Sequence, residues 1–165
     1  MAVVCTGNIC RSPMAEVLLR HRVESDPVLV GTVQVSSAGT ARWHVGAAMD
    51  PRARRALDRA GLTGPGSPAA HASAEYLSAQ DLVLVMTREH VHEVRARLVG
   101  APTSVALWRE IAAPGTGLDV PDPYYGDDDD FAACLTLLSS SAPAVIAELR
   151  RRRGATWSAG RSREA

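Results

Sequence analysis

Two residues six positions apart near the start of the chain carry the most chemistry, Cys5 and Arg11. A cysteine sulfur is a strong nucleophile once ionised, and a guanidinium is an always-charged planar fork able to hold two phosphate oxygens at once. Between them runs Thr6-Gly7-Asn8-Ile9-Cys10, and Ser12-Pro13 follows. A short loop entering a helix supplies converging backbone N–H groups and the positive end of the helix dipole, which together make an anion site. If residues 6–12 curl around a phosphate, the Cys5 sulfur lies beneath phosphorus and Arg11 meets the equatorial oxygens. The donors that bind phosphate also stabilise a thiolate, so one environment serves binding and attack. Taken bare, Cys-x-x-x-x-x-Arg is also compatible with a small buried residue, a surface charge and an ordinary cap. The apolar run before it, Gly7 and Asn8 within it and the Ser-Pro helix start after it favour the anion loop.

Such a loop needs a framework. Val3 and Val4 read as the end of a short buried strand with only four residues before Cys5. Ser12 is expected to cap a first helix, with Pro13 at its first helical position and Met14, Val17 and Leu18 at helical spacing to about Val23. Residues 33–37 are β-branched enough for a second strand, closed by Ala38-Gly39. Asp50-Pro51 opens a second helix that Gly61 ends, and a loop at 64–68 precedes a weaker helical segment at 74–79. The uninterrupted apolar run 82–86 predicts a strand covered on both faces. Thr87 then caps a helix to about Val99, and 104–107 forms a fourth strand. The acidic run 127–130 leads the last helix, ending in the arginines at 150–153, with Pro143 expected to kink or restart it.

Strands alternating with helices predict an α/β fold, a three-layer sandwich with a central four-stranded parallel sheet and helices on both faces. Ligands of such sheets bind at the carboxyl ends of the strands, where the Cys5 loop lies. No internal repeat is present, and one domain over 1–153 with a disordered tail over 154–165 is expected.

Composition narrows the partners. The 165 residues are 46% hydrophobic, enough for one core without disulfides or metal. Lys plus Arg equals Asp plus Glu at 18 each, so no global field draws the chain to nucleic acid or an anionic membrane. Arg, Asp or Pro interrupts each apolar run before the roughly 18 residues of a membrane helix. Three unpaired-looking cysteines, Cys5, Cys10 and Cys134, and a strand almost at Met1 suggest a cytoplasmic chain in a reducing compartment.

The run Cys5-Thr6-Gly7-Asn8-Ile9-Cys10-Arg11-Ser12-Pro13-Met14-Ala15-Glu16 resembles the signature of low-molecular-weight protein tyrosine phosphatases. Ser37-Ala38-Gly39-Thr40, Trp43-His44-Val45-Gly46, Asp50-Pro51-Arg52-Ala53 and Asp122-Pro123-Tyr124-Tyr125-Gly126 follow in that family's order. The resemblance implies hydrolysis of protein phosphotyrosine through a phosphocysteine, with no cofactor or metal, by a monomer or weak dimer. It makes Cys5 the nucleophile, Arg11 the clamp and Asp122 the general acid. It also implies that Asn8, Ser12, Ser37 and His71 hold the loop, and that Trp43, Tyr124 and Tyr125 wall the cleft. Cys10 is the residue close enough in sequence to trap an oxidised Cys5 as a disulfide. Where the family often has His-x-Ala-Arg, this chain reads His71-Ala72-Ser73-Ala74.

Three other readings share the loop. An arsenate reductase would need further cysteines, and residues 82–92 hold none. A protein-arginine phosphatase tends to carry Thr where this chain has Ile9 and to lack the paired tyrosines. An inactive phosphotyrosine-binding module would have lost the nucleophile or the acid, and both are present.

Overall fold

β1 (Ala2–Cys5) is buried along its whole length and lies between β2 (Ser36–Gly39) and β3 (Leu82–Val85). With β4 (Ser104–Leu107) the order is β2-β1-β3-β4. The computed structural model describes residues 1–161. All pairings are parallel, with Val4 opposite Ala38 and Val85, and Val85 opposite Leu107. Parallel strands require crossovers that cover both sheet faces, so β1 and β3 are apolar throughout instead of alternating.

Successive side chains then serve opposite cores. Val3, Cys5, Leu82, Leu84 and Met86 pack with α1 (Arg11–Glu24), α2 (Pro51–Arg59), α5 (Trp108–Ala112) and α6 (Asp128–Arg161). Val4, Ala38, Val83, Val85 and Leu107 face α3 (Ala74–Ser78) and α4 (Arg88–Arg97). This is the expected three-layer sandwich. Leu84, Leu138 and Phe131 are sealed from solvent, and burying each such side chain contributes about 1.5–3 kcal/mol. After β1 the chain pairs β2 on one side and crosses to β3 on the other, which leaves a crevice at the carboxyl end of β1.

Four boundaries differ from expectation. β2 begins at Ser36, because Val33 donates its N–H to Leu29 in a turn anchored by the Asp26 carboxylate, and Ser36 N–H instead reaches Met1 O. α1 begins at Arg11 with Cys10 at its N-cap, so Ser12 does not cap it and Pro13 is the third helical residue. The first four helical N–H groups lack intrahelical partners, so Pro13 still costs no hydrogen bond. α5 was not anticipated, since five residues are too few to show a period. α6 continues through Pro143 without restarting, since one buried stripe of Phe131, Leu135, Leu138, Ala142, Val145 and Leu149 spans that position.

α6 also corrects the reading of apolar runs. Its Asp128–Gly154 stretch is long and apolar enough to cross a membrane by length and composition alone. One stripe of that stretch makes the core contacts just named. The tail expected over 154–165 overlaps the end of α6 at 154–161 and otherwise lies outside the described residues.

Candidate active site

The loop from Thr6 to Cys10 turns through Asn8, which has a φ of 56°, a left-handed conformation few non-glycine residues adopt. The surroundings hold it there. Asn8 Oδ1 accepts from the Ala70 N–H at 2.7 Å, which orients the amide so that Nδ2 donates to Ser12 Oγ at 2.9 Å and Ser37 Oγ at 2.8 Å. Gly39 passes so close that a Cβ there would lie 2.6 Å from Thr6 O. A side chain at Gly39 would therefore push the loop out of shape.

Proton counting sets the direction of the network. Ser37 Oγ accepts from Asn8 and so donates its own proton to Glu16, a fully buried carboxylate also held by Ser67 Oγ at 2.7 Å and Arg20 at 2.5 Å. Ser12 Oγ likewise accepts from Asn8 and lies 2.9 Å from Cys5 Sγ, a contact in which either atom can donate, with Ala38 O at 3.5 Å as a second acceptor for the Ser12 proton. Toward an ionised Cys5, which has no proton to give, the Ser12 hydroxyl is the donor. The N-cap of α1 has no side-chain hydrogen bond, leaving the first-turn N–H groups aimed at the loop's hollow.

Arg11 is buried beside that hollow, its guanidinium donating to Val120 O and Thr6 Oγ1, both at 3.3 Å, and to Asp122 Oδ2. Asp122 sits on a loop tied to the sheet by Val120 N–H bonding Met86 O at 2.8 Å. Together Cys5, Arg11 and Asp122 line one cavity of about 330 Å³ with Trp43, His44, Tyr124 and Tyr125 at its walls. Trp43 is 80% exposed and Tyr125 96% exposed, so these rings stand at the mouth, the two tyrosines meeting edge to face at 5.0 Å.

Several contributors were not singled out from sequence. Arg52 pairs with Asp50 at 2.8 Å, donates to Gly126 O at 2.9 Å, and lies over the Phe131 ring at 4.6 Å and the Tyr124 ring at 5.9 Å. Asp50 N–H in turn bonds Ile9 O at 2.8 Å, linking the start of α2 to the loop. The Arg52 hydrogen bond holds the Asp50 carboxyl below its usual range. Glu16 and Ser67 extend the loop network, and His90 bonds Thr6 from α4. The signal for Glu16 was its place in the opening motif; for Ser67 and His90 there was none, because the loop of Ser67 and the first turn of α4 meet the site only in the folded chain.

Two expected residues stand differently. The bonds to Asn8 are made by Ser12, Ser37 and the Ala70 N–H, whereas His71 meets this region by its backbone, bridging Gly39, and by a ring hydrogen bond to the Thr40 backbone. Burial, then the charges of Arg42 and Arg97, lower the His71 imidazole below its usual range. Cys10 is buried in the same cavity wall as Cys5, and burial, then the Asp50 charge, push its thiol well up.

An anion loop at the end of the first strand, a cysteine beneath it and an arginine with a carboxylate at its rim define a phosphate-handling α/β protein with a cysteine centre. Comparison with known proteins agrees. The profile of the low molecular weight phosphotyrosine protein phosphatase family matches residues 1–155, and the chain belongs to that family. It is 45% identical over 130 residues to a low molecular weight protein-tyrosine-phosphatase of Streptomyces coelicolor, covering 74% of this chain and 76% of that one. Low molecular weight protein-tyrosine phosphatase A of Mycobacterium tuberculosis is 44% identical over 129 residues, covering 75% of each. In three dimensions the chain is similar to YfkJ from Bacillus subtilis, with a TM-score of 0.80, 27% identity, and 92% and 94% of the two chains covered.

Proposed function

We propose that the chain hydrolyses phosphotyrosine in proteins through a phosphocysteine on Cys5. The observation that carries this reading is the convergence of Cys5, Arg11 and Asp122 on one cavity whose mouth is aromatic. The phosphate dianion enters against the loop N–H groups and the Arg11 fork, displacing Asp122 from the guanidinium. Cys5 Sγ attacks phosphorus as the aryl C–O–P bridge breaks at the P–O bond. Displaced from Arg11, the Asp122 carboxylate takes up a proton from solvent, and as the neutral acid it gives that proton to the leaving phenolate, a role worth about 10²–10⁴-fold. Asp122, now a carboxylate, takes a proton from the water that attacks phosphocysteine, and inorganic phosphate leaves with the Cys5 thiolate restored. Ser12 Oγ–H, aimed at Cys5 Sγ, stabilises that thiolate at both ends of the cycle. Fixed N–H groups and Arg11 supply the charge stabilisation, so the reaction proceeds in EDTA.

The aromatic walls favour a phenyl phosphate over the guanidino phosphate suggested by the name of a similar structure, the YwlE arginine phosphatase of Geobacillus stearothermophilus. Tyr124, Tyr125 and Trp43 offer a slot for a flat ring, and Ile9 adds an apolar side chain at the loop. Residues 1–153 form the catalytic unit, working in the cytoplasm, and Cys10 captures a peroxide-oxidised Cys5. The test is turnover of a phosphotyrosine peptide against a phosphoarginine peptide in EDTA. The reading expects the tyrosine peptide to be much the better substrate; preference for phosphoarginine overturns it.

A further inference from the structure

We propose that His90, on α4, is a positioning residue for the phosphate clamp, acting through the hydroxyl of Thr6 on the guanidinium of Arg11. The inference rests on the phosphate-loop reading above. His90 is 3% exposed, with Nε2 2.9 Å from Thr6 Oγ1 and Nδ1 2.8 Å from Thr87 Oγ1.

The proposed role gives this chain of bonds a direction. Thr6 has one hydroxyl proton, and its oxygen already accepts from Arg11 at 3.3 Å. We assign that proton to His90 Nε2, which is then the bare, accepting nitrogen. The ring proton then sits on Nδ1 and is donated to Thr87 Oγ1, which also accepts the His90 backbone N–H at 3.3 Å as the cap of α4. A protonated ring would point an N–H at Thr6, take away the acceptor for its hydroxyl and place a second cation near Arg11. Burial and the Arg11 charge hold the imidazole neutral, pushing it down to about 4 against a weaker pull from Asp119.

The consequence lies in the Arg11 fork. Its NH2 group divides between Thr6 and Asp122, and the Asp122 contact is the one an incoming phosphate must break. The Thr6 contact persists, and with Val120 O it keeps the guanidinium plane facing the hollow while the acid moves away. A hydroxyl able to rotate would give Arg11 a poorer acceptor. His90 fixes that rotation from a different layer of the fold, the end of β3 and the first turn of α4.

The test is binding of inorganic phosphate by calorimetry, with kcat and KM for an aryl phosphate, in the wild type, His90→Phe, His90→Gln and Thr6→Val. Losing a bond that orders a charged donor is expected to weaken phosphate binding about tenfold in His90→Phe and in Thr6→Val. The same two variants lower kcat/KM by a similar factor. Gln retains an acceptor for the Thr6 hydroxyl, so His90→Gln binds phosphate within about threefold of wild type on the same scale. A packing role for the imidazole predicts the opposite order, with the ring-shaped Phe tolerated and Gln poor; that order overturns the inference. Undiminished phosphate binding in Thr6→Val also overturns it, whether or not the His90 variants fold. If the wild type itself binds no phosphate, the loop reading fails first, a result distinct from a wild-type affinity that survives both substitutions.

Discussion

Arg11 and Asp122, 111 residues apart in sequence, are ion-paired at the rim of the phosphate hollow. The side chain of Arg11 is 5% exposed and that of Asp122 44%, so the buried clamp is fixed and the carboxylate is the partner able to leave. The carboxylate's other oxygen accepts the Tyr124 N–H at 3.2 Å, which couples its position to the aromatic wall. Under the proposed mechanism, Asp122 thus holds, without substrate, the place on Arg11 that a phosphate oxygen takes.

Removing that competitor separates binding from chemistry. Asp122→Asn is expected to bind inorganic phosphate more tightly than wild type, because one negative charge beside the site is gone. The same variant slows phenyl phosphate about 10²–10⁴-fold and loses much less on esters whose phenolate departs unaided. Steady-state kinetics over a series of leaving groups checks this. Equal losses across the series contradict the assignment of Asp122 as the acid.

The left-handed Asn8 makes a second, structural prediction. Asn8→Ala deletes its hydrogen bonds to Ser12, Ser37 and Ala70 and keeps a Cβ at φ 56°. A cost of about 2–4 kcal/mol is expected. Asn8→Gly loses the same bonds without the steric penalty and should be about 1 kcal/mol less harmful. Urea unfolding of the two variants decides, and a glycine variant less stable than the alanine one contradicts the strain.

Much of this arrangement was legible in the sequence, for reasons that are local. β1 and β3 are apolar at every position, as a doubly covered parallel strand must be, and Asp50-Pro51 and Thr87 mark helix starts by their own caps. Cys5, Arg11 and Asn8 lie within one turn of chain. What was not legible depends on contacts between distant segments. Val33 has the β-branched shape of a strand residue but is claimed by the turn below Asp26. Ser12 has the type of a helix cap, yet its hydroxyl is needed at Cys5. His71 was expected in the loop network on resemblance, whereas the Ala70 N–H makes the bond to Asn8. Arg52 stands in the Asp50-Pro51-Arg52-Ala53 block, yet nothing local to that block shows that its guanidinium lies over Tyr124 and Phe131.

His90 gives the stability a pH signature. Its imidazole is pushed from 6.5 down to about 4 by burial and Arg11, with Asp119 pulling the other way and only the Thr6 and Thr87 hydroxyls bonded to the ring. Between those values the unfolded chain binds the proton and the folded chain refuses it. Stability from His90 is therefore complete above pH 6.5 and falls as pH drops toward 4. The urea midpoint of His90→Gln should change less than that of wild type across this window. Identical slopes contradict a buried neutral ring.

Cys10 tests the redox behaviour proposed for the site. Peroxide converts the Cys5 thiolate to a sulfenic acid, and condensation with the Cys10 thiol expels water and leaves a disulfide. Burial holds Cys10 protonated, so capture requires the loop to open. Brief peroxide exposure should inactivate the enzyme, with dithiothreitol restoring wild type more fully than Cys10→Ser. Equal recovery of the two makes Cys10 a packing residue only.

The nucleophile itself is the central claim, and it is open to direct observation. The chain is mixed with an aryl phosphate, quenched in acid within the first turnovers, and digested for peptide mass analysis. The account predicts a phosphoryl group on the sulfur of Cys5 in the peptide spanning the loop, accumulating further in Asp122→Asn and absent in Cys5→Ser, which does not turn over. Substantial turnover by Cys5→Ser, or phosphate release with no phosphoryl group ever trapped on Cys5, contradicts it.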